Sequence, residues 1–253
     1  MKFSIVVPCY NGFPYLRRAL QSLLENGNGI DLEILVQDAG STDGSVELAR
    51  ELVGDSAVVV EPDEGHEDAI NRAWRRSSGD ILAWLNADDE LAPGALRTAQ
   101  RVFEEDPGAQ WCVGYFRMID SQGREIRRLH KWYKHFLLRH YSRRLLFVEN
   151  MIPQMSVFLR RSLWTSVGDL KLGSWAFDYD YWLRLSSVAD PRVIRETLSA
   201  FRWHPASKTG RDVEKLFREE MEVCRAHTDD RRLLALHYCV YLRNKLLYDL
   251  ARW

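Results

Sequence analysis

Three polar side chains follow directly after one apolar run, and the rest of the chain must position them. Ile81–Leu85 is apolar throughout, and Asn86, Ala87, Asp88 and Asp89 come next. Two carboxylates this close repel each other unless a cation or a proton offsets their charge. Oxygen ligands at a solvent-facing edge suit Mg²⁺ or Mn²⁺. The stretch therefore predicts a divalent metal site.

The same residues allow a second interpretation. Acidic groups are stabilised near the N-terminus of a helix, and proline is common in a first helical turn. Asp88, Asp89 and Glu90 would then open a helix in which Pro93 occupies the first turn. The residues alone leave both interpretations open.

A parallel sheet is the element that would position these groups. Short apolar runs alternate with segments of helical period, which is typical of strands wrapped by helices. The strands are predicted at Phe3–Val7, Leu32–Gln37, Ala57–Glu61 and Ile81–Leu85, and the helices between them at Pro14–Glu25, Ser45–Val53 and Asp68–Ser77. This pattern predicts an α/β fold of Rossmann-like type, with a mostly parallel central sheet flanked by helices.

Every predicted strand of this half is followed by a polar turn, at residues 8–12, 38–44, 62–68 and 86–89. If the strands are parallel, all four turns lie at one edge of the sheet, where ligands bind in open α/β folds. Exposed N–H groups at helix starts favour phosphates there, so a nucleotide is the expected ligand. The glycine patterns of dinucleotide and P-loop sites are missing from the sequence.

The second half is predicted to add mixed elements. They are a helix at Pro93–Glu105, a hairpin at Trp111–Asp120 and Glu125–Leu129, a strand at Met155–Arg160 and a helix at Phe177–Ser186. Asp178 and Asp180 lie at the start of the last helix, where a carboxylate is ordinarily a cap. A catalytic role for Asp178 is the alternative.

Residues 127–144 are basic and interleaved with aromatics, and residues 231–253 mix Leu and Tyr with Arg and Lys. Both patterns are typical of helices that meet a membrane surface, and the basic one could also meet an anionic acceptor. A solvated helix that packs on its own domain is the alternative for each, and the last could also bind a second subunit. Helices predicted at Asp212–Ala226 and Arg231–Trp253 form a helical C-terminal appendage.

Composition excludes several classes of protein. The chain has 253 residues and a formal net charge of -1, whereas a general nucleic-acid binder needs a strongly basic face. Its four cysteines form no C-x-x-C pair, which argues against a zinc site or a disulfide scaffold. No secretion signal or membrane-spanning stretch is predicted. We expect a cytoplasmic protein, with peripheral contact to the inner face of the membrane through 127–144 or 231–253.

Taken together, six segments resemble the family 2 glycosyltransferases with the GT-A fold, especially bacterial enzymes of surface-polysaccharide assembly. The resemblance runs from Phe3 to about Thr209, and all six segments occur in the family's order. They are Ile5–Asn11, Glu33–Gly44, Glu61–Asn71, Gly79–Asp89, Phe177–Arg184 and Phe201–Thr209.

The resemblance implies a role for each matching residue on the donor side. Asp38 would meet the nucleobase, Asp68 and Asn71 would line the donor pocket, and Asn86 would face the ribose. The implied nucleotide-sugar site comprises Pro8, Tyr10, Asn11, Asp38, Asp68, Asn71, Asn86 and Ala87. Asp88 would bind Mn²⁺ or Mg²⁺, and His204 would complete the metal or diphosphate contacts.

On the acceptor side, the resemblance implies that Asp178 is the general base. Gln154 and Trp175 could bind the acceptor, because sugar rings stack on aromatic rings and offer hydroxyls to amides, although core packing would equally explain Trp175. Asp180 points elsewhere on a helix. The domain prediction is a transferase domain at 1–209, divided into a nucleotide-sugar half at 1–120 and an acceptor half at 121–209, with a helical extension at 210–253.

Three positions depart from the family's commoner pattern. Asn86 replaces the first carboxylate of the D-x-D motif, which removes a charge next to the metal. Ala39 follows Asp38 where an aspartate is common, and Phe177 stands where a glutamate often precedes the base. None of these changes deletes the expected metal ligand or base.

The expected activity is an inverting, metal-dependent transfer from a nucleotide-sugar, by default a UDP-sugar, to a hydroxyl of a glycan or lipid-linked glycan. A nucleotidyltransferase and a non-catalytic nucleotide-sugar-binding partner are the alternatives, the second favoured by Asn86. A homo-oligomer also fits the sequence. The sugar, the base, the acceptor and the linkage do not follow from it.

Overall fold

The structure is a computed structural model and describes residues 1–205 and 213–250, without the side chains at 213 and 248–250. In this part of the chain, nine strands form one sheet. They are β1 (Lys2–Cys9), β2 (Asp31–Asp38), β3 (Val58–Val60), β4 (Ile81–Trp84), β5 (Glu90–Leu91), β6 (Trp111–Ile119), β7 (Glu125–Ile126), β8 (Val157–Arg160) and β9 (Arg192–Arg202).

Helices cover both faces of this sheet. They are α1 (Phe13–Asn26), α2 (Ser45–Val53), α3 (His66–Arg76), α4 (Ala95–Glu105), α5 (Arg128–Arg139), α6 (Arg143–Val148), α7 (Arg161–Val167), α8 (Phe177–Val188), α9 (Val213–His227) and α10 (Arg231–Leu250). Short 3₁₀ turns lie at Asp55–Ala57 and Gln154–Ser156. The predicted α/β class and the helical C-terminal part are confirmed.

The strand order is β3-β2-β1-β4-β8-β6-β9-β5, with β7 beside β6. The first four strands are parallel, as predicted, so their carboxyl ends share one edge. The second half mixes directions, because β8 is antiparallel to β4 and β6, whereas β6 and β9 are parallel.

Strand β9 was not predicted from the sequence. Between the pairs Gly114↔Ile194 and Tyr115↔Thr197, two residues of β9 have no partner in the register. These are Arg195 and Glu196, and such a bulge breaks the alternation by which a strand is recognised. The hairpin partner β7 is also shorter than predicted, because Arg127 adopts a left-handed φ of 50° and a helix follows.

The core lies on both faces of the sheet. On one face, β1 contributes Phe3, Ile5 and Val7, which pack with apolar residues of α1, α2 and α4. The other face is rich in tryptophan, and Trp182 stacks between Trp84 (5.6 Å) and Trp111 (6.0 Å between ring centroids). Truncating one such buried ring to alanine costs about 3–5 kcal/mol. This packing fixes β4 against α8.

The two C-terminal helices pack on the second half of the chain. Cys224 of α9 donates to the Phe147 carbonyl (3.4 Å), and His237 Nδ1 of α10 lies 2.9 Å from the same oxygen. Leu233 of α10 is buried in the tryptophan-rich core. The inner face of the C-terminal helices therefore packs on the rest of the same chain, which was one of the alternatives for this segment. The predicted boundary at 209/210 lies outside the described residues.

Candidate active site

The turn after β4 holds the polar residues with which the sequence analysis began. Asn86 Nδ2 donates to Asp89 Oδ2 (3.0 Å), and the Arg202 backbone N–H donates to Asp89 Oδ1 (2.8 Å). Asp89 is completely buried, and burial, together with the charge of Asp88, raises its pKa well above the usual value. The helix-opening interpretation is wrong, because β5 follows this turn and α4 begins only at Ala95. Asp89 therefore shapes the turn.

Asp88 is the carboxylate of this turn that pairs with a histidine. His204 Nε2 lies 2.9 Å from Asp88 Oδ2, and the His204 ring packs 4.9 Å from the ring of Tyr15. Two ligands on adjacent corners of an octahedral ion, each about 2.1 Å from it, lie about 3 Å apart. The pair therefore has the spacing of neighbouring ligands on one ion.

The number of protein ligands indicates the kind of ion that would fit. Across the described ranges, no group of three or more His, Cys, Asp or Glu side chains is arranged to hold a metal. Mg²⁺ and Mn²⁺ are often held by one or two protein ligands, and phosphates and water complete the shell. Asp88 and His204 would supply two protein ligands to such an ion.

The first two of the four turns at the carboxyl edge of the sheet are joined by hydrogen bonds. Asn11 adopts a left-handed φ of 51°, its Oδ1 accepts from the Thr42 N–H (3.0 Å), and its own N–H donates to Ser41 Oγ (2.7 Å). Pro8 is buried within β1, whereas the neighbouring Tyr10 is 68% exposed. Tyr10 thus offers an aromatic ring at this edge.

Asp38 is completely buried at the end of β2 and organises the second turn. Its Oδ1 accepts from the N–H groups of Gly40 (2.9 Å) and Ser41 (2.7 Å), and its Oδ2 accepts from Ser41 Oγ (2.6 Å). Burial, together with the charge of Asp38, raises the pKa of the Cys9 thiol to about 12. Cys9 is therefore a neutral part of the core.

Asp68 stabilises the third turn from the first turn of α3. Its Oδ2 accepts from the Glu64 N–H (3.0 Å) and pairs with Arg72 (2.7 Å). Asp63 was not singled out from the sequence. Burial, together with the nearby charges of Asp68 and Asp38, raises the pKa of Asp63. The second and third turns therefore bring three carboxylates into one region.

Asn71 bonds the backbone of the segment before α8. Its Nδ2 donates to the Leu170 carbonyl (2.8 Å), its Oδ1 accepts from the Leu170 N–H (2.9 Å), and the side chain is buried. Because both ends of the amide are bonded to one backbone position, Asn71 holds the segment before α8. Its expected place in the donor pocket stays a prediction.

Two buried amide oxygens lie near the end of β4. Gln154 Nε2 donates to the Trp84 carbonyl (2.8 Å), whereas Gln154 Oε1 and Asn86 Oδ1 have no hydrogen-bond partner among the described residues. A buried acceptor without a partner is costly, so a ligand hydroxyl is a natural donor for each.

Ala87 lies against Gly12, where an added Cβ would be 3.1 Å from the Ala87 Cβ. The first and fourth turns therefore touch.

Asp178 lies in the first turn of α8 and is half-buried. The preceding Phe177 packs its ring 6.2 Å from Trp84 of β4 and 5.5 Å from His66 at the start of α3. The start of α8 is thus brought beside the ends of β4 and the third turn. Phe177 provides this contact.

Asp180 is structural, as its helical spacing from Asp178 suggested. It is buried and pairs with Lys171 (2.8 Å), Arg184 (2.7 Å) and His227 (2.8 Å). Burial alone would raise its pKa, but these partners hold the pKa well below its usual range. Asp180 therefore joins α8 to α9.

Trp175 is half-buried on the segment before α8 and belongs to neither core cluster. Lys215 Nζ lies 4.3 Å above its ring, and the Trp175 N–H donates to Glu219 Oε2. Simple core packing, the alternative for Trp175, does not describe this position. Trp175 is partly exposed to solvent and lies three residues before Asp178 in the chain.

Comparison with known proteins identifies the family to which this chain belongs. Residues 4–166 match the family described as Glycosyl transferase family 2. The chain belongs to the family 2 glycosyltransferases. An uncharacterized protein of Mycobacterium tuberculosis is 28% identical to this glycosyltransferase over 223 residues, 82% of this chain and 69% of that protein. The Escherichia coli chondroitin synthase is 29% identical over 196 residues, 76% of this chain and only 28% of that protein.

Solved structures agree in fold. Staphylococcus aureus TarS 1–349 in complex with UDP-GlcNAc superposes with a TM-score of 0.68 at 17% identity, covering 94% of this chain and 72% of that one. The mannosyltransferase PcManGT from Pyrobaculum calidifontis, in complex with GDP-Man and Mn²⁺, gives 0.67 at 19% identity, covering 94% and 69%. The predicted GT-A fold of this glycosyltransferase is thereby confirmed.

One further residue organises the site of this glycosyltransferase and was missed from the sequence. Arg202 of β9 donates from Nε to the Asp88 carbonyl (2.9 Å) and from Nη1 to the Asp120 carbonyl (2.9 Å), and it pairs with Glu90. It thus holds the Asp88 backbone from a strand that the sequence did not predict. The only available signal was its place two residues before His204.

Proposed function

We propose that this family 2 glycosyltransferase takes a sugar from a nucleotide-sugar, with UDP as the first expectation. The transfer proceeds with inversion to a hydroxyl of a glycan or lipid-linked glycan in cell-surface polysaccharide synthesis. Chondroitin synthases among the relatives support a glycan acceptor, and fold neighbours in complex with UDP-GlcNAc and GDP-Man support a nucleotide-sugar donor.

The observation that carries the proposal is the contact between Phe177 and Trp84. Asp178 follows Phe177 directly, and Asn86 lies two residues beyond Trp84. A 6.2 Å separation of the two rings therefore supports a single cleft, with the base at one side and the diphosphate site at the other.

On the donor side, the four turns would share the nucleotide. Tyr10 offers a ring for the base, and Asp38 would bind the base from a turn that it also organises. Asn86 Oδ1, a buried acceptor without a partner among the described residues, suits a ribose hydroxyl. The region near Asp38 also holds Asp63 and Asp68, and we expect these carboxylates to favour neutral donor groups of the ligand there.

Asp88 and His204 would hold Mn²⁺ or Mg²⁺ together with the donor diphosphate. Such an ion, when bound, neutralises charge that develops on the departing diphosphate. The 2.9 Å spacing of the two side chains supports this assignment, as does the Mn²⁺ complex of the fold neighbour. Arg202 would keep Asp88 in place through the backbone.

Asp178 would act as general base on the acceptor hydroxyl. It takes the hydroxyl proton while the acceptor oxygen forms a bond to the anomeric carbon. The bond from that carbon to the diphosphate oxygen breaks, and the electron pair leaves with the nucleoside diphosphate. A positioned base contributes roughly 10²–10⁴-fold in rate. Gln154 Oε1 and the Trp175 ring would bind the acceptor.

The family match sets aside the nucleotidyltransferase alternative. A non-catalytic nucleotide-sugar-binding partner remains the second candidate, because Asn86 replaces a carboxylate of the metal motif. It predicts donor binding without turnover for the parent protein, which the experiment below measures.

We also propose that residues 1–209 form the transferase domain, with 1–120 for the donor and 121–209 for the acceptor, and that 210–253 brace it. Across 1–205 and 213–250, no helix is both long and apolar enough to cross a bilayer. Peripheral contact with the inner face of the membrane through residues 127–144 or 231–253 is our proposal. A cytoplasmic location and a homo-oligomer stay predictions.

The base is tested by Asp178→Asn. Donor binding is measured as a thermal shift with UDP-glucose, UDP-GlcNAc, UDP-galactose and GDP-mannose, each with Mn²⁺. Turnover is measured as release of nucleoside diphosphate from the same donors, with chondroitin oligosaccharides and other glycan oligosaccharides as acceptors. We expect D178N to keep the parent's binding and to lose turnover by about 10²-fold or more. In the same assay, Asp88→Ala should lose the Mn²⁺-dependent part of donor binding.

Asp229→Asn is the matched control, because it makes the same change at an exposed position. Turnover of D178N near the level of D229N would show that the base is wrongly assigned. Parent protein that binds a donor but never releases the nucleotide would support the non-catalytic alternative.

A further inference from the structure

The segment before α8, residues 169–176, is here named the acceptor loop. It carries Trp175 and leads directly into the helical turn that contains Asp178. Gly173 within it adopts a φ of 85°, a conformation that favours glycine. The position of this loop therefore sets where the acceptor-side groups stand relative to the donor turns.

Helix α3 holds the loop from the donor half. Asn71 bonds the Leu170 backbone at both its N–H and its carbonyl, as described above. The Gly173 N–H donates to Glu67 Oε1 (2.9 Å), and Glu67 is buried. One side of the loop is thus tied to the helix that also presents Asp68.

Helix α9 holds the loop from the opposite side with one carboxylate. Glu219 Oε2 accepts from Ser174 Oγ (2.9 Å) and from the Trp175 N–H. Ser174 Oγ in turn accepts from the Ala176 N–H (3.1 Å), which is the last residue before α8. Lys215 lies 3.8 Å from Glu219 and over the Trp175 ring. Three consecutive residues before α8 are therefore positioned through Glu219.

We infer that Glu219 is a positioning residue for the transfer, acting through the acceptor loop on Trp175 and Asp178. The helical extension is then part of the catalytic architecture, although it lies beyond the segment that matches the family. This inference rests on the proposed role of Asp178. Hydrogen bonds from two donors to a carboxylate are strong, and losing the carboxylate leaves the Trp175 N–H without its acceptor.

The test compares Glu219→Ala with Glu219→Gln, which keeps one acceptor oxygen. With the four donors and the glycan acceptors named above, we expect E219A to lose kcat for release of nucleoside diphosphate at least tenfold. The KM for donor, and the Kd for UDP with Mn²⁺, should stay within twofold of the parent. Amides of residues 173–177 should exchange hydrogen at least tenfold faster. E219Q should recover most of both losses.

Glu222→Ala is the matched control, because Glu222 lies exposed on the same helix. If E219A equals E222A in kcat and in amide exchange, the positioning role is refuted. A general loss of fold would instead weaken UDP binding and lower the melting temperature, and that result also counts against the inference. D178N in the same assay separates the two proposals: a D178N that retains turnover refutes the base regardless of Glu219.

Discussion

Glu220 faces a small polar pocket between α5, α9 and α10, with a volume of about 50 Å³. Asn150 Nδ2 donates to Glu220 Oε1 (3.1 Å), and Lys134, Glu149 and His237 line the same pocket. Burial raises the pKa of Glu220 to about 7, and the charges of Asp178 and Glu149 add to the effect, whereas Lys134 and Asn150 oppose it.

This pKa predicts how stability depends on pH. Between the usual pKa of 4.5 and about 7, the folded state binds the Glu220 proton more tightly than the unfolded state, so this residue destabilises the fold as pH rises through that window. The loss is at most about 3 kcal/mol above pH 7. The free energy of unfolding is measured with urea at pH 5 and pH 8. We expect Glu220→Gln to reduce the loss of this free energy between the two pH values by at least about 1 kcal/mol.

Glu222→Gln serves as the control for this change on the same helix. If the difference in unfolding free energy between the two pH values is equal in E220Q and E222Q, Glu220 does not bind a proton in this window. Burial also lowers the pKa of His237, but both variants retain this residue.

At the scale of elements, the approach of β1 to β4 depends on Gly79 just before β4. A Cβ added there would lie 2.4 Å from Ser4 Oγ, 2.7 Å from the Ser4 backbone N and 2.9 Å from the Lys2 carbonyl oxygen. Two of these atoms are backbone of β1, which cannot move without shifting the strand. The site has room for the Cα hydrogen of glycine but not for a methyl group.

Gly79→Ala should therefore separate β1 from β4 and destabilise the protein by about 1–3 kcal/mol. For a domain of this size, such a change lowers the melting temperature by about 2–4 °C per kcal/mol. Thermal unfolding followed by circular dichroism measures this shift. Gly108→Ala, in the turn before β6, is the control, and an equal melting temperature for the two variants would contradict the argument.

At the scale of the molecule, two helices present apolar side chains to solvent. Leu129, Trp132 and Phe136 of α5 recur at one face and are between 49% and 86% exposed, and Leu242 and Leu246 of α10 are 47% and 59% exposed. Residues 127–144 contain seven Lys or Arg and no Asp or Glu. Exposed apolar groups beside basic ones are typical of proteins that bind anionic membrane surfaces.

We expect the protein to bind vesicles of phosphatidylcholine with phosphatidylglycerol, less at high salt, and little without the anionic lipid. Replacing both Trp132 and Phe136 by alanine should lower the bound fraction about tenfold, because two large apolar groups no longer leave water. Sedimentation with vesicles measures this fraction. Leu24→Ala, an exposed leucine on α1, is the control.

Equal binding of the W132A/F136A variant and L24A would exclude α5 as the membrane contact. Substitution is preferable to removing residues 231–253, because α10 buries Leu233 and His237 against the domain. Truncation would therefore confound membrane binding with loss of core packing.

Local sequence patterns predict much of the structure of this protein. The buried run of β4 and the polar turn that follows it identified the position of Asp88, and the alternating pattern identified the four parallel strands. These signals are local because burial period and turn chemistry act over a few residues. Six short segments in order then sufficed to indicate the family.

Only the tertiary structure decided what several polar residues do. Asp88 meets His204 across 116 positions and is held by Arg202 across 114, while Asn71 bonds Leu170 across 99. Strand β9 remained hidden because its bulge breaks the alternation of side chains. A hydrogen bond between groups so far apart leaves no periodic trace in the sequence, since its geometry exists only after the sheet and helices have packed.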